Sequence, residues 1–340
     1  MTTRTMSPVL LIGGSGHVGA RAAKALRRLQ PDLPIAIAGR DARKASAVAA
    51  EVGGPTTATS VDIDRDDLGL DRGASFSALV VLVKDGASNA MKRAQADGVP
   101  YVAFSDFVSE IGPVVAHYIA RPTRAPILML GHALGGTATL AALHLAQELR
   151  SVDAIAIGCV IDADDHGGPA AQADFERNQQ IAQAALLLEG GKWTWARGDA
   201  STRRIVDAEG VEVVGQALPL LDVVSLAAAT DARSIRVDIA ARDATKRGAG
   251  QVTDLVIEVS GQRHDGSSAR LRYDIIDADS HGRLSAYGAA ITTERLLGLT
   301  GGPPVGPGLY HPESVLDPAR FLARLEELGA RIRRTRAESA

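Results

Sequence analysis

The feature that most constrains this chain is a set of glycines placed directly behind a short apolar run. Residues 9–12 lead without a break into Gly13-Gly14-Ser15-Gly16-His17-Val18-Gly19. Gly14, Gly16 and Gly19 fit G-x-G-x-x-G, and the amphipathic stretch 18–29 opens at once behind them. After a strand and before a helix, this spacing predicts a turn that cradles a pyrophosphate. Gly14 allows the tight turn. A side chain at Gly16 would keep a pyrophosphate from the backbone. Gly19 lets the helix lie close on the strand. The free N–H groups and positive dipole end of that helix then face the anion. Ser15, His17 and Val18 complete the turn as candidate cofactor contacts. The bland alternative is a glycine-rich turn without a ligand.

The strand-then-helix theme recurs along the first 150 residues. Apolar runs appear at 35–38, 58–61, 78–83, 101–104 and 127–130. Amphipathic stretches separate most of them, such as 42–52, with Asp41 as N-cap and Gly53 as stop. Alternating βα units with short, fully apolar strands predict a doubly wound parallel sheet covered on both faces. The chain is 340 residues long, which suits two domains. With 46% hydrophobic and 23% charged residues it has the balance of a globular protein. A net charge of −3 gives no reason to expect nucleic acid as a partner. No apolar run reaches the roughly 20 residues of a membrane span, and none near the N-terminus has the length of a secretory leader. A cytoplasmic, membrane-free protein is expected. The one cysteine, Cys159, excludes an intrachain disulfide and reads as a packed core thiol.

The pattern changes after a helix over 137–150. A long strand is expected at 152–161, then a polar loop, then a helix from 170 to 189. Period-two alternation at 234–240, 255–259 and 271–275 predicts an antiparallel sheet with one covered face. Helices are expected at 285–297 and 318–332, the latter ending in a frayed basic tail at 331–336. The implied organisation is a nucleotide-binding domain over 1–135, an interdomain helix over 136–150, an α+β substrate and dimerisation domain over 151–290, and a return to the first domain over 291–340. Loop 162–167 begins like a calcium loop. Its twelfth position is Ala173, where a bidentate acid is required. No metal is expected, and the loop reads as solvated or as facing a cleft. Trp193 and Trp195 alternate in a strand-like segment, either packed on a core or dimer contact or presented as a ligand platform.

The second strand bears on the cofactor. An NAD site usually has an acid at the end of this strand. Here Gly39 and Arg40 occupy that end, and Asp41 falls one position late. Gly39 leaves room for a 2′-phosphate and Arg40 can bind it, so NADP is expected rather than NAD. Asp62, after the third strand, is either a partner for the adenine amine or a turn residue.

Ligands in such sheets sit beyond the carboxyl ends of the strands. The fourth, fifth and sixth strands end near Lys84, Asp106 and His132. Lys84, one of six lysines, is a candidate proton donor if partial desolvation lowers its pKa. Asp106 would orient it or receive a substrate amine, unless it caps the next helix. His132 is an alternative acid or a structural turn residue.

These segments also resemble a family. GGSGHVG and AGRDARKASAVAAEVG resemble the N-terminal domain of saccharopine dehydrogenase-like oxidoreductases. GVPYVAFSD, GHALGGTATLAAL and GLYHPESVLDPARFLARLEELG resemble later segments of the same group. The resemblance implies a Rossmann domain with an inserted α+β domain, dimerisation, and hydride transfer at a C=N or C=O bond of a small molecule. Two other readings of a dinucleotide-binding chain stand beside it. One is a synthase or lyase that uses a tightly held dinucleotide internally, the other a regulator without turnover.

Overall fold

The structure, a computed structural model, describes residues 6–243 and 252–336. It divides into two units. The first comprises residues up to 106, 110–131 and 286–315, and the second comprises 107–109, 132–285 and 316 onward.

The first unit begins as expected. β1 (Val9–Ile12) is buried at every residue and runs into α1 (His17–Leu29), whose buried stripe is Gly19, Ala22, Ala23, Ala25 and Leu26. Alanines on that face let the helix approach the sheet closely. β2 (Ile35–Gly39), α2 (Ala42–Val52) and β3 (Thr56–Ser60) complete one half. Asp41 caps α2 through Oδ1, which accepts from the N–H groups of Arg43 and Lys44, and Gly53 ends the helix at φ 66°. β4 (Ala78–Val81), α3 (Asn89–Asp97), β5 (Tyr101–Ala103), α4 (Gly112–Ala120) and β6 (Pro126–Met129) form the other half.

α5 (Thr137–Ala146) opens the second unit and ends four residues before the expected Arg150. β7 (Ser151–Asp162) is its central strand. The helix expected over 170–189 is two elements. α6 (Pro169–Ile181) stops, and β8 (Ala185–Glu189) turns through Gly190 and Gly191 into β9 (Lys192–Ala196). Both glycines have positive φ, which the hairpin turn requires. β10 (Thr202–Val206), β11 (Glu212–Ala217), α7 (Asp222–Ala229), β12 (Ser234–Arg242), β13 (Thr253–Gln262) and β14 (Ser268–Asp277) come next.

α8 (His281–Leu296) starts four residues earlier than expected, because the Asp165 carboxylate accepts the His281 N–H at its first turn. The chain re-enters the first unit within α8, at residue 286, and adds β15 (Gly308–Tyr310) to it, a strand that the proline-rich sequence hides. α9 (Pro318–Leu328) ends at Gly329, φ 104°, and leads into β16 (Arg331–Arg336).

Among the described residues the first sheet has the order β15-β6-β5-β4-β1-β2-β3, and every pair is parallel. This is the expected doubly wound sheet with one strand added. The second sheet runs β10-β11-β12-β7-β13-β14-β16, with the β8–β9 hairpin attached to β12. It is mixed rather than antiparallel, since β7 pairs parallel with β12. The C-terminal segment also departs from expectation. Only 286–315 belongs with the first unit, while α9 and β16 belong with the second. The basic tail is not frayed: it pairs with β14, where Arg333 meets the buried Asp274.

A buried thiol and a half-buried imidazole have clear electrostatic consequences. Burial pushes the Cys159 thiol upward, so it is an inert core thiol. Burial pushes the His311 imidazole, next to β15, down to about 4. Its folded pKa lies below the unfolded value, so the unfolded chain takes up the proton first as pH falls. The stabilisation is full above about pH 6.5 and is lost progressively toward pH 4, up to about 3 kcal/mol. Denaturation midpoints of wild type and His311→Gln at pH 7.5, 6 and 5 should diverge, with the variant flatter. Parallel pH profiles would count against this account.

Candidate functional site

The glycine turn is built from close backbone contacts. Gly13, at φ 81°, takes the left-handed conformation in this turn. The Gly13 and Gly14 N–H groups both donate to the Ala38 carbonyl at the end of β2, at 2.9 and 3.1 Å. A Cβ on Gly14 would lie 2.6 Å from the Leu11 oxygen. One on Gly19 would lie 2.2 Å from the Gly13 oxygen and 2.6 Å from the Gly14 Cα, so at this position α1 rests directly on the turn. Gly16 differs. It is exposed, and a Cβ there would meet only the Gly13 oxygen, at 3.1 Å.

No side chain caps the first turn of α1. Its leading N–H groups and dipole are therefore left for an anion. His17 accepts from the Arg21 guanidinium at its carbonyl, 3.2 Å, and its Nδ1 lies 3.3 Å from the same nitrogen. Val18 is half-buried. Ser15 lies beside Gly39, where a Cβ would come within 3.1 Å of its Oγ. Arg40 is exposed and makes no side-chain hydrogen bond or ion pair among the described residues. Asp41 is committed to capping α2. Asp62 Oδ1 accepts the Asp64 N–H at 3.1 Å.

Lys84 and Asp106 are brought together. Lys84 Nζ lies 2.5 Å from Asp106 Oδ1 and 3.0 Å from Glu110 Oε1. Asp106 thus spends its carboxylate on the lysine rather than on a helix cap. Lys84 is partly desolvated, with 27% of its side chain exposed, and it faces two carboxylates. An ammonium has three N–H groups. Two are taken here, which leaves a third. Glu110 went unread in the sequence. Its only signal is an acid four positions after Asp106, and a 3-10 turn over Val108–Glu110 brings it round. Gly131, after β6, is equally constrained, since a Cβ there would lie 1.8 Å from the Asp106 carbonyl oxygen.

Next to this trio, Tyr101 donates to Asp85 Oδ2 at 3.1 Å, and the Met91 N–H donates to the same oxygen at 3.0 Å. Burial pushes the Asp85 carboxyl upward. Burial, then the nearby charges of Asp85 and Asp106, pushes the Tyr101 phenol well up, so it stays neutral.

His132 belongs to the second unit and is buried there. Its Nε2 lies 2.7 Å from Ser225 Oγ on α7. Asp222, one turn earlier on α7, accepts from the Ala133 N–H and the Thr139 hydroxyl, both at 2.7 Å. Burial pushes the Asp222 carboxyl upward. This clamp ties the segment after β6 to α7, and His132 takes part in it.

The 162–167 loop is not a solvated acidic loop, because Asp162 and Asp165 are buried. The Asp165 carboxylate accepts from the His281 N–H and lies 2.8 Å from its Nδ1. No group of three or more His, Cys, Asp or Glu residues suited to a metal occurs among the described residues. No helix among them is long and apolar enough to cross a membrane.

No model of a known family matches the sequence, and no curated protein matches it. By structure the chain is similar to apo saccharopine dehydrogenase (L-Glu forming) from Saccharomyces cerevisiae. The identity is 13% and the TM-score 0.73, over 97% of this chain and 100% of that one. A myo-inositol dehydrogenase from Corynebacterium glutamicum has 14% identity and TM-score 0.46, over 98% and 100% of the two chains. An oxidoreductase from Agrobacterium radiobacter, solved with NAD+, L-tartaric acid and magnesium, has 13% identity and TM-score 0.46, over 95% of each. The likeness to the first is one of fold.

Proposed function

We propose that this chain is an NADP(H)-dependent oxidoreductase of saccharopine dehydrogenase-like type, acting at a C=N or C=O bond of a small molecule. The observation that carries this reading is the uncapped glycine turn beside an unengaged Arg40. The residues fit a dinucleotide. Gly14, Ser15, Gly16, His17, Val18 and Gly19 would hold its pyrophosphate, Gly39 and Arg40 its 2′-phosphate, and Asp62 would lie toward the adenine. Asp41 is spent on α2, so no acid at the end of β2 is free to take ribose hydroxyls as NAD sites do. A bound nicotinamide supplies or accepts hydride. The chain's own part is to hold a proton at Lys84 Nζ, with Asp106 and Glu110 orienting the ammonium toward the substrate heteroatom.

Titration with NADPH and NADH tests the cofactor assignment. Arg40→Ala should weaken NADPH by about 1.5–3 kcal/mol, roughly 10- to 150-fold, and leave NADH nearly unchanged. Equal losses for both would remove Arg40 from the 2′-phosphate site.

We also propose a homodimer formed through the second unit. Trp193 and Trp195 are 52% and 53% exposed on β9, a strand that pairs only with β8 among the described residues. Light scattering at micromolar concentration should give twice the chain mass, and a monomer would count against it.

A further inference from the structure

α6 breaks the usual rule for a surface helix. Its one buried residue is an amide, Asn178, while Phe175 and Ile181 are 47% and 52% exposed. Departures of this kind from local consistency concentrate at functional sites. The Asn178 Oδ1 is enclosed and has no hydrogen-bond partner among the described residues. Asn178 lines a cavity of about 240 Å³ within the second unit, between α6, the β8–β9 hairpin and the end of β11.

The cavity wall has a consistent chemistry. Ala182, Ala185, Ala196, Ala217 and Pro219 give it small apolar surfaces, and Phe175 adds a ring. None of the lining residues is charged. Of the polar ones, Gln216 Nε2 donates to Ser201 Oγ at 2.7 Å, and Ser201 Oγ donates to the Gly198 carbonyl at 2.6 Å. The Ser201 proton is spent, which leaves the Asn178 amide as the buried polar group still to be satisfied. A buried acceptor without a donor is unfavourable. With no charged side chain in the wall, nothing there pairs with an ionic occupant. An apolar cavity of roughly 150 Å³ holds benzene, so this one has room for a six-membered ring bearing a small polar group. The oxygen and nitrogen of an Asn amide are assigned from their partners. A carboxamide, with both a donor and an acceptor, answers either orientation.

We propose that this cavity is a binding site for a small uncharged molecule with a planar apolar body and a carboxamide group seated on Asn178. It is separate from the glycine turn and does not depend on the oxidoreductase reading. The probe is benzamide, with benzoate and benzylamine as charged counterparts, followed on the full chain by ligand-observed NMR and calorimetry, first without and then with added NADPH. Saturable benzamide binding in the millimolar range or tighter is expected, with the charged analogues at least tenfold weaker. Asn178→Leu should weaken benzamide at least tenfold without lowering the melting temperature. Ala182→Leu, a change at a half-exposed wall position, should weaken it similarly by filling the space. The proposal is overturned if benzamide fails to saturate up to about 10 mM, if all three probes bind alike, or if NADPH displaces it. It is likewise overturned if Ala182→Leu leaves binding unchanged.

Discussion

Gly19→Ala should lose tight dinucleotide binding and cost about 3 kcal/mol of stability, a fall in melting temperature of roughly 6–12 °C. The new methyl would meet the Gly13 oxygen at 2.2 Å and the Gly14 Cα at 2.6 Å. Both are backbone atoms of a turn pinned to Ala38, so neither yields as a flexible side chain would. The helix must move off the turn, and the turn then loses its shape. Gly16→Ala is the informative contrast. Its methyl would meet one atom at 3.1 Å and otherwise face open space. Its melting temperature should stay near wild type while NADPH affinity falls tenfold or more. Thermal denaturation of both variants, with NADPH titration of each, separates the two effects. Equal stability of the two would show that the Gly19 contact relaxes cheaply.

Lys84→Met should slow single-turnover hydride transfer by roughly 10²- to 10⁴-fold, the usual contribution of a positioned proton donor. NADPH binding, checked separately, should change little. Asp106→Asn and Glu110→Gln should produce smaller losses, because each leaves the lysine one carboxylate partner. Removing the lysine also leaves Asp106 and Glu110 facing each other largely buried, which should lower stability by about 1–3 kcal/mol. His132→Gln serves as a control on placement. Its ring is engaged by Ser225, so its effect should fall on stability rather than on transfer. If Lys84, Asp106 and His132 variants all keep wild-type transfer rates, the proton donor lies elsewhere and the placement of the site is wrong.

The glycine turn was legible because its demands are local. A strand, a tight turn and a helix start lie within eleven residues, and Gly14 and Gly19 each answer a tight contact with a near neighbour in the chain. The pairing of Lys84 with Asp106 was legible for a different reason. Both come after adjacent parallel strands, β4 and β5, and topology brings such ends together. What escaped depends on distant partners. Ser225 lies 93 positions from His132, and no pattern around either residue announces the other. The alternation in β12 shows a strand but not its direction, so the parallel pairing with β7 was invisible. Leu186–Leu188 read as a helix continuation, since a short apolar run is compatible with either state. Arg331–Arg336 looked like a solvated tail because its acid, Asp274, lies far back in the chain.

The first sheet is written in two instalments. β6 ends at Met129, and the strand that covers its edge, β15, begins at Gly308. On a ribosome adding about 5–20 residues per second, the intervening stretch delays that strand by roughly 10–35 s. Throughout this interval the nascent chain carries a bare parallel edge, the kind of surface that recruits strands from other chains. β6 is only four residues long, and Pro126 removes one of its N–H donors. A short edge with a missing donor is a poor template, so the chain's own sequence protects it until synthesis delivers the closing strand.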